Sequence, residues 1–292
     1  MIDPVAEARK WFAEDLRVAA AIGSEAVTEA FAHVPRERFI GPPPWRIGTR
    51  RMRLGASPFR YKTFGEDPRV LYHDVVVALD EENEINNGQP SLWAGIFDEL
   101  RLQPGEKVFH VGCGTGYYTA VLAEIVGPTG SIDAIDINQS LIERARPALS
   151  TWPNVTVVCG NGSEMEARSC DVIVVCAGLT HPLTVWLEGL RPNGRLVFPL
   201  TFEGAPARNG NGAMLLVTRN SDEGFAARFL GPVGFIHFEG GRNRDANAQL
   251  MEAFRKRLPQ AADVCALRRD AHEAEESCWL HGDGYCLSLR AS

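Results

Sequence analysis

The sequence predicts an α/β protein built on a largely parallel sheet with both faces buried. From residue 91 onward, apolar runs of strand length alternate with stretches of helical periodicity. The first of these runs, KVFHV, enters a glycine-rich turn and passes at once into a helical stretch. The chain has 292 residues, about twice the usual ~150 per domain, so one large domain with additions or two domains are expected.

The elements follow in order. Residues 3–22 predict a helix, with Asp3 as N-cap and Pro4 as its first residue. Ala6, Trp11, Ala13, Leu16, Ala19 and Ala20 supply its apolar face. Gly23 stops it, and Ser24 caps a second helix carrying Val27, Phe31 and Val34, which Pro35 closes. Residues 41–70 change character. GPPPW is a stiff turn, and RIGTRRMRLGASPFRYK then holds Arg46, Arg50, Arg51, Arg53, Arg60 and Lys62 with no acid among them. Such a run reads first as a solvated surface and second as a contact for an anionic substrate. YHDVVVAL is strand-like and DEENEINNG a polar loop.

SLWAGIFDEL then predicts a helix and KVFHVGCG a strand entering a turn. YYTAVLAEIV is a helix, GSIDAIDI a second strand and SLIERARPAL a second helix. VTVVCG, CDVIVVCA and GRLVFPL are further strands, and MLLVTRN and ARFLGPVGFIHFEG late ones at an antiparallel edge. In the tail, Asp245 can cap a helix with an apolar stripe of Leu250, Met251, Phe254 and Leu258. CWLHGDGYCLSL reads as a hairpin with Asp283-Gly284 at its turn. The chain thus divides into an N-terminal helical and substrate-side segment (1–90), a core (91–242) and a C-terminal helix and hairpin extension (243–292).

Composition excludes several classes. Apolar residues at 45% and charged residues at 23% exclude a disordered chain. A net charge of −7 argues against nucleic acid as a partner. No apolar run reaches membrane-spanning length, so no membrane partner is expected. The first residues lack the apolar region of a secretory signal, and the cysteine count is odd at seven. A reduced, cytoplasmic protein is expected.

The most informative residues are His110-Val111-Gly112-Cys113-Gly114-Thr115-Gly116. Without Cβ atoms at 112, 114 and 116 a ligand can approach the backbone, and the helix that follows offers free N–H groups. A dinucleotide fingerprint would need glycine at 117, where Tyr117 stands. The early third glycine is the spacing of methyltransferases that hold S-adenosylmethionine (SAM). Asp136 ends the next strand, where a carboxylate can accept hydrogen bonds from ribose hydroxyls.

HVGCGTGYYTAVLAEIVG, with ERARPAL, LRPNGRLVFPL, MLLVTRNSDEGF, the upstream VTEAFAHVPRERFI and LGPVGFIHFEG, resembles the protein-L-isoaspartate O-methyltransferases. The resemblance covers roughly residues 27–240, interrupted near 46–70. It implies a Rossmann-like SAM-dependent methyltransferase sheet with helices on both faces. It also implies SAM as methyl donor and a carboxylate on a peptide or protein as acceptor, an acidic one if the basic run takes part. By the same resemblance His110, Gly112, Cys113, Gly114, Gly116, Tyr117 and Asp136 line the cofactor, and Gly160, Asn161 and Gly162 meet its adenine.

The sequence departs from the family in three places. His110 stands where members carry Glu or Asp, near the cofactor's ammonium. The family's Thr-Ile-Ser-Gln-Pro reads Asn86-Asn87-Gly88-Gln89-Pro90, so the serine hydroxyl associated with catalysis is replaced by Gly88. Residues 46–70 and 243–292 are additions. An ionised carboxylate acceptor needs orientation more than a general base, which amides at Asn86, Asn87 and Gln89 can supply; a turn is the plainer reading of Asn-Asn-Gly. The alternatives are a SAM-binding regulatory or scaffold protein without turnover and a small-molecule methyltransferase.

His73-Asp74 is a nominal acid–base pair, but neighbours on a strand face opposite sides. His181 follows a strand at its ligand-binding end. Cys159, Cys170 and Cys176 read as core residues. Cys265, His272, Cys278, His281 and Cys286 are zinc-ligand types, yet no C-x-x-C pair occurs and Cys278 and His281 are expected across a turn, so no metal is assigned.

Overall fold

The first helix, α1 (Pro4–Ala19), begins where Asp3 accepts a hydrogen bond from the Val5 N–H at 3.0 Å. In the second, α2 (Glu25–His33), Ser24 Oγ accepts from Val27 N–H at 3.3 Å. The short α3 (Glu37–Ile40), β1 (Trp45–Arg50), β2 (Phe59–Phe64), β3 (Ala78–Asp80), β4 (Ile85–Asn86) and α4 (Pro90–Leu100) follow. Next come β5 (Lys107–Val111), α5 (Tyr117–Val126), β6 (Ser131–Asp136), α6 (Gln139–Ala148), β7 (Val155–Cys159), β8 (Cys170–Val175) and α7 (Thr184–Gly189). The chain ends with β9 (Leu190–Phe202), β10 (Asn209–Arg219), β11 (Phe225–Ile236), α8 (Arg244–Arg257), β12 (Ala266–Arg268), β13 (Cys278–Gly282) and β14 (Tyr285–Ser288). This computed structural model describes residues 3–50, 59–164, 169–203, 209–221 and 224–291.

The chain forms two compact units. The first comprises Met1–Gly105 and Cys113–Cys159. Its strands pair as two antiparallel hairpins, β1 with β2 and β3 with β4, and as the parallel pair β6 and β7. Its aromatic core sets Phe31 edge-on to Tyr117 and Tyr118, and Phe12 edge-on to Tyr72. Trp11, expected on the apolar face of α1, is 64% exposed; Phe12, one position further round the helix, is buried in its place.

The strand expected at YHDVVVAL is confined to β3. The cause is Arg36, which is fully buried. Its guanidinium donates to the carbonyls of Leu71, His73 and Val75, the last two at 3.0 and 2.5 Å. Those oxygens are thereby taken from any strand ladder.

The second unit comprises Glu106–Gly112 and Gly160–Ser292. Its strands run in the order β13-β14-β12-β11-β10-β9-β8-β5. β5, β8 and β9 are parallel; from β9 onward every pairing is antiparallel. The antiparallel part is therefore wider than an edge, and the C-terminal hairpin continues the same sheet. Val172, Ile173, Val174 and Val175 are all fully buried, which is why β8 reads as an unbroken apolar run.

Asn243, not Asp245, caps α8, accepting from the N–H groups of Asp245 and Ala246 at 2.9 and 3.1 Å. Asp245 lies in the first turn, where its negative charge complements the helix dipole's positive end. Only Leu250 of the expected α8 stripe is fully buried; Met251 and Leu258 are exposed. Of the cysteines read as core, Cys170 is buried, Cys176 half-buried and Cys159 exposed.

Candidate active site

In the first unit the glycine loop and Asp136 are joined directly. Asp136 ends β6, and its Oδ2 accepts the Gly114 N–H at 2.8 Å while Oδ1 accepts the Asn138 N–H at 2.9 Å. The Ile137 N–H also bonds to this carboxylate, so of its four acceptor sites one is left for a ligand hydroxyl. Burial raises the Asp136 pKa, and these backbone hydrogen bonds oppose that rise.

Gly114 and Gly116 have φ of +57° and +92°. A Cβ at 114 would meet only the Leu79 methyl, 3.9 Å away, so the position is open to a ligand. One at 116 would lie 2.6 Å from Leu149 Cδ1, so there the glycine serves packing. Cys113 is buried, with its N–H on the Ile135 carbonyl at 3.1 Å. Tyr117 is buried among Phe31, Phe39 and Tyr118.

In the second unit His110 is 1% exposed on β5. Its Nε2 lies 3.2 Å from Cys176 Sγ. Burial holds its pKa down at about 3, so the ring is neutral at physiological pH. Gly112, with φ of +75°, sits over Cys176, where an added Cβ would come to 3.4 Å from the cysteine Cβ. Sequence reasoning placed Cys176 in the core and missed this pairing, because the two residues are 66 positions apart.

The Asn-Asn-Gly stretch in the first unit is a turn with one buried amide. Asn86 is exposed, and its Oδ1 accepts the Gly88 N–H at 2.9 Å. Asn87 is buried; its Oδ1 accepts from Val77 N–H at 2.6 Å, while its Nδ2 is buried with no hydrogen-bond partner. Gln89 Nε2 donates to Asp74 at 2.9 Å. Asp74 also accepts from Ser91 N–H and Oγ at 2.8 and 2.7 Å, holding the start of α4. Asp74 is thus occupied as an anchor and makes no pair with His73. Gly88 itself has φ of +73°, and its carbonyl accepts from Tyr118 Oη at 3.2 Å.

The Gly160-Asn161-Gly162 stretch, in the second unit, is also a tight turn. Asn161 Oδ1 accepts from Ser163 N–H and Oγ at 3.0 and 2.9 Å, and the Gly162 carbonyl accepts from Trp186 Nε1 at 3.0 Å. Both acceptor sites of the Asn161 amide oxygen are therefore in use. His181 lines a cavity of about 220 Å³ with Leu187, Arg269 and Tyr285. In the basic run, Arg46 is paired with Glu81 at 2.6 Å. Arg51 and Arg53 lie outside the described residues, as do the side chains of Arg50 and Arg60.

These features can be set against known proteins. The model of the family described as protein-L-isoaspartate(D-aspartate) O-methyltransferase matches residues 59–242. The chain is 29% identical over 236 residues to the protein-L-isoaspartate O-methyltransferase of Methanothermobacter thermautotrophicus, an alignment covering 80% of this chain and 95% of that one. It is 32% identical over 235 residues to the protein of the same name from Methylorubrum extorquens, covering 79% and 88%. A solved structure from Plasmodium falciparum, described as a candidate protein-L-isoaspartate O-methyltransferase in complex with S-adenosyl-L-homocysteine, superposes with a TM-score of 0.59. That superposition covers 79% of this chain and 98% of the other at 18% identity, a likeness of fold. The family match spans more than half of the sequence, and with the M. extorquens relative it assigns the chain to the protein-L-isoaspartate(D-aspartate) O-methyltransferase family.

Proposed function

We propose that this chain is a SAM-dependent O-methyltransferase that methylates a carboxylate on a peptide or protein. The observation that carries it is Asp136, a strand-end carboxylate tied to the Gly114 N–H at 2.8 Å with an acceptor site left over. That site suits a ribose hydroxyl. When bound, SAM supplies a methyl group on a sulfonium, already activated for displacement.

The chain's own residues then have a modest task. An acceptor carboxylate is ionised at neutral pH, so no side chain has to remove a proton. What remains is orientation. Asn87 Nδ2 carries two N–H donors, is buried and has no protein partner, so an acceptor oxygen would relieve an unmade hydrogen bond. Asn86 and Gln89 shape the turn around it. Neutral His110 brings no positive charge to repel the donor's ammonium. Of the other residues the resemblance assigns to the cofactor, Gly112 and Cys113 stay as proposed and Gly116 and Tyr117 are committed to packing; of Gly160, Asn161 and Gly162, proposed for adenine, Asn161 has its amide oxygen already taken by Ser163.

The acceptor is a dedicated partner more than any isoaspartyl peptide. Gly88 supports this, because its left-handed backbone and crowded surroundings exclude the family's serine. An acidic acceptor is supported by the composition of residues 46–62 alone. No helix among the described residues is long and apolar enough to cross a membrane, and seven free cysteines fit a reducing, cytoplasmic setting. Incubation with radiolabelled SAM tests the proposal, using an isoaspartyl peptide in one arm and an extract of the source cells in the other. Label in an extract protein or peptide, released by mild base as a carboxyl ester should be, with little in the isoaspartyl peptide, is the expected result. Turnover on the isoaspartyl peptide at a typical repair rate would overturn the dedicated partner. No binding of SAM would overturn the whole reading.

A further inference from the structure

We propose that the C-terminal hairpin carries a structural zinc site made by His272, Cys278, His281 and Cys286. The ligand atoms of these four side chains all lie within 4.8 Å of one another. Cys278 Sγ is 3.5 Å from His272 Nε2. A tetrahedral zinc ion with Zn–S of about 2.3 Å and Zn–N of about 2.0–2.1 Å separates sulfur from nitrogen by about 3.5–3.6 Å.

The sheet explains how residues with no C-x-x-C spacing converge. Cys278 and His281 are three apart on β13, and on a regular strand they would face opposite sides. The register shifts between Cys278 and Leu280, a bulge that adds one residue and restores the parity. The pairing confirms it. His281 stands opposite Cys286, and Cys278 opposite Ser288, two residues beyond Cys286 on the same face. Cys278 and His281 thus share one strand rather than flanking a turn.

His272 comes from the loop before β13. Arg268, paired opposite Cys286, holds that loop by its ion pairs to Asp270 and Glu275 at 2.7 and 2.8 Å.

The surroundings are those of a metal site. His272 Nδ1 lies 2.9 Å from the Asp270 carbonyl, a contact that requires the proton on Nδ1 and leaves the Nε2 lone pair aimed at Cys278. The Glu275 N–H donates to Cys278 Sγ at 3.4 Å, as backbone amides do to thiolate ligands. Cys278 and Cys286 are buried, and His281 Nδ1 is buried with no hydrogen-bond partner. Two thiolates and two neutral imidazoles would cancel the charge of one Zn²⁺. Binding then releases two thiol protons, leaving no net charge in the buried cluster. Two sulfur and two nitrogen donors select zinc over magnesium or calcium.

Elemental analysis of the full-length protein, purified without chelator and dialysed, tests the site. The expected result is about one zinc per chain, kept by Cys265→Ser and reduced at least tenfold by Cys278→Ser with Cys286→Ser. Because the double variant can fail to fold, a second measurement uses the wild-type chain. Zinc is removed with a chelator and Co²⁺ added alone, which should produce the intense visible absorption of tetrahedral cobalt bound to thiolate. A folded wild-type chain that holds no zinc and takes up no Co²⁺ would overturn the proposal. So would a Cys278–Cys286 disulfide found by mass spectrometry in the purified, unreduced protein.

Discussion

A Cβ on Gly88 would stand 2.7 Å from Trp93 Nε1 and 3.1 Å from Trp93 Cδ1. The indole is fully buried and the glycine has φ of +73°, so backbone and side chain both oppose any larger residue. The serine that the family resemblance would put here has neither the space nor the dihedral angle it would need.

Restoring that serine should therefore fail. Gly88→Ser should lower unfolding stability by about 2–4 kcal/mol, from about 1–2 for the left-handed dihedral and the remainder from overpacking. Urea titration reads the loss. Adding Trp93→Phe removes Nε1 and should cost less than the two single changes summed. Gly88→Ser with wild-type stability would show that the turn can re-form.

Asp136→Ala should weaken SAM binding by about 1.5–3 kcal/mol, the scale for hydrogen bonds to a charged group. Titration calorimetry measures it. The variant also frees the Gly114 and Asn138 N–H groups, so some loss of loop order accompanies it. Asp136→Asn, whose amide oxygen can still take one of these bonds, should fall between Asp136→Ala and wild type. Unchanged affinity in a folded Asp136→Ala protein would remove Asp136 from the ribose.

The strands β5 and β8 were legible because both of their faces are buried, and apolar runs of that kind show directly in composition. The glycine loop was legible for a similar reason, since left-handed φ at Gly112, Gly114 and Gly116 leaves glycine in the sequence. Other features depend on distant partners. Tyr72–Val76 has strand composition, yet its His73 and Val75 carbonyls answer to Arg36, about forty positions earlier. The spacing of Cys278 and His281 suggested no shared site, because a one-residue bulge reverses which face a side chain takes and leaves no mark in spacing. The orphan amide of Asn87 depends on the backbone at Val77, ten positions away, which no local pattern reveals.

The basic segment should act on the acceptor. Arg46 is paired with Glu81; Arg50, Arg51 and Arg53 are the three cations of the run to change together to Ala. The acceptor KM should rise, with the effect shrinking as salt is added, and SAM affinity should hold. Steady-state kinetics at two ionic strengths measure this. An unchanged KM would leave the segment as solvated surface, and a folded variant unable to bind SAM would tie it to the cofactor.

His110 should make the protein acid-sensitive through its folded state. Above its ordinary pKa of 6.5 neither the folded nor the unfolded chain protonates it, so it adds nothing to the pH dependence of stability. Below that value the unfolded chain takes up a proton that the buried ring refuses until about pH 3. The unfolded state then binds more protons, and folding stability falls as pH falls. The slope approaches about 1.4 kcal/mol per pH unit, giving about 1.6 kcal/mol between pH 6.5 and 5. His181 and His237, whose pKa values burial also lowers, add to the same trend, so the difference between two chains is the useful quantity. His110→Gln should unfold in urea with a shallower acid slope than wild type, and their stability difference should narrow from pH 7.5 to 5. Parallel slopes would mean that the folded protein protonates His110 as readily as the unfolded chain does, contrary to its burial beside Cys176.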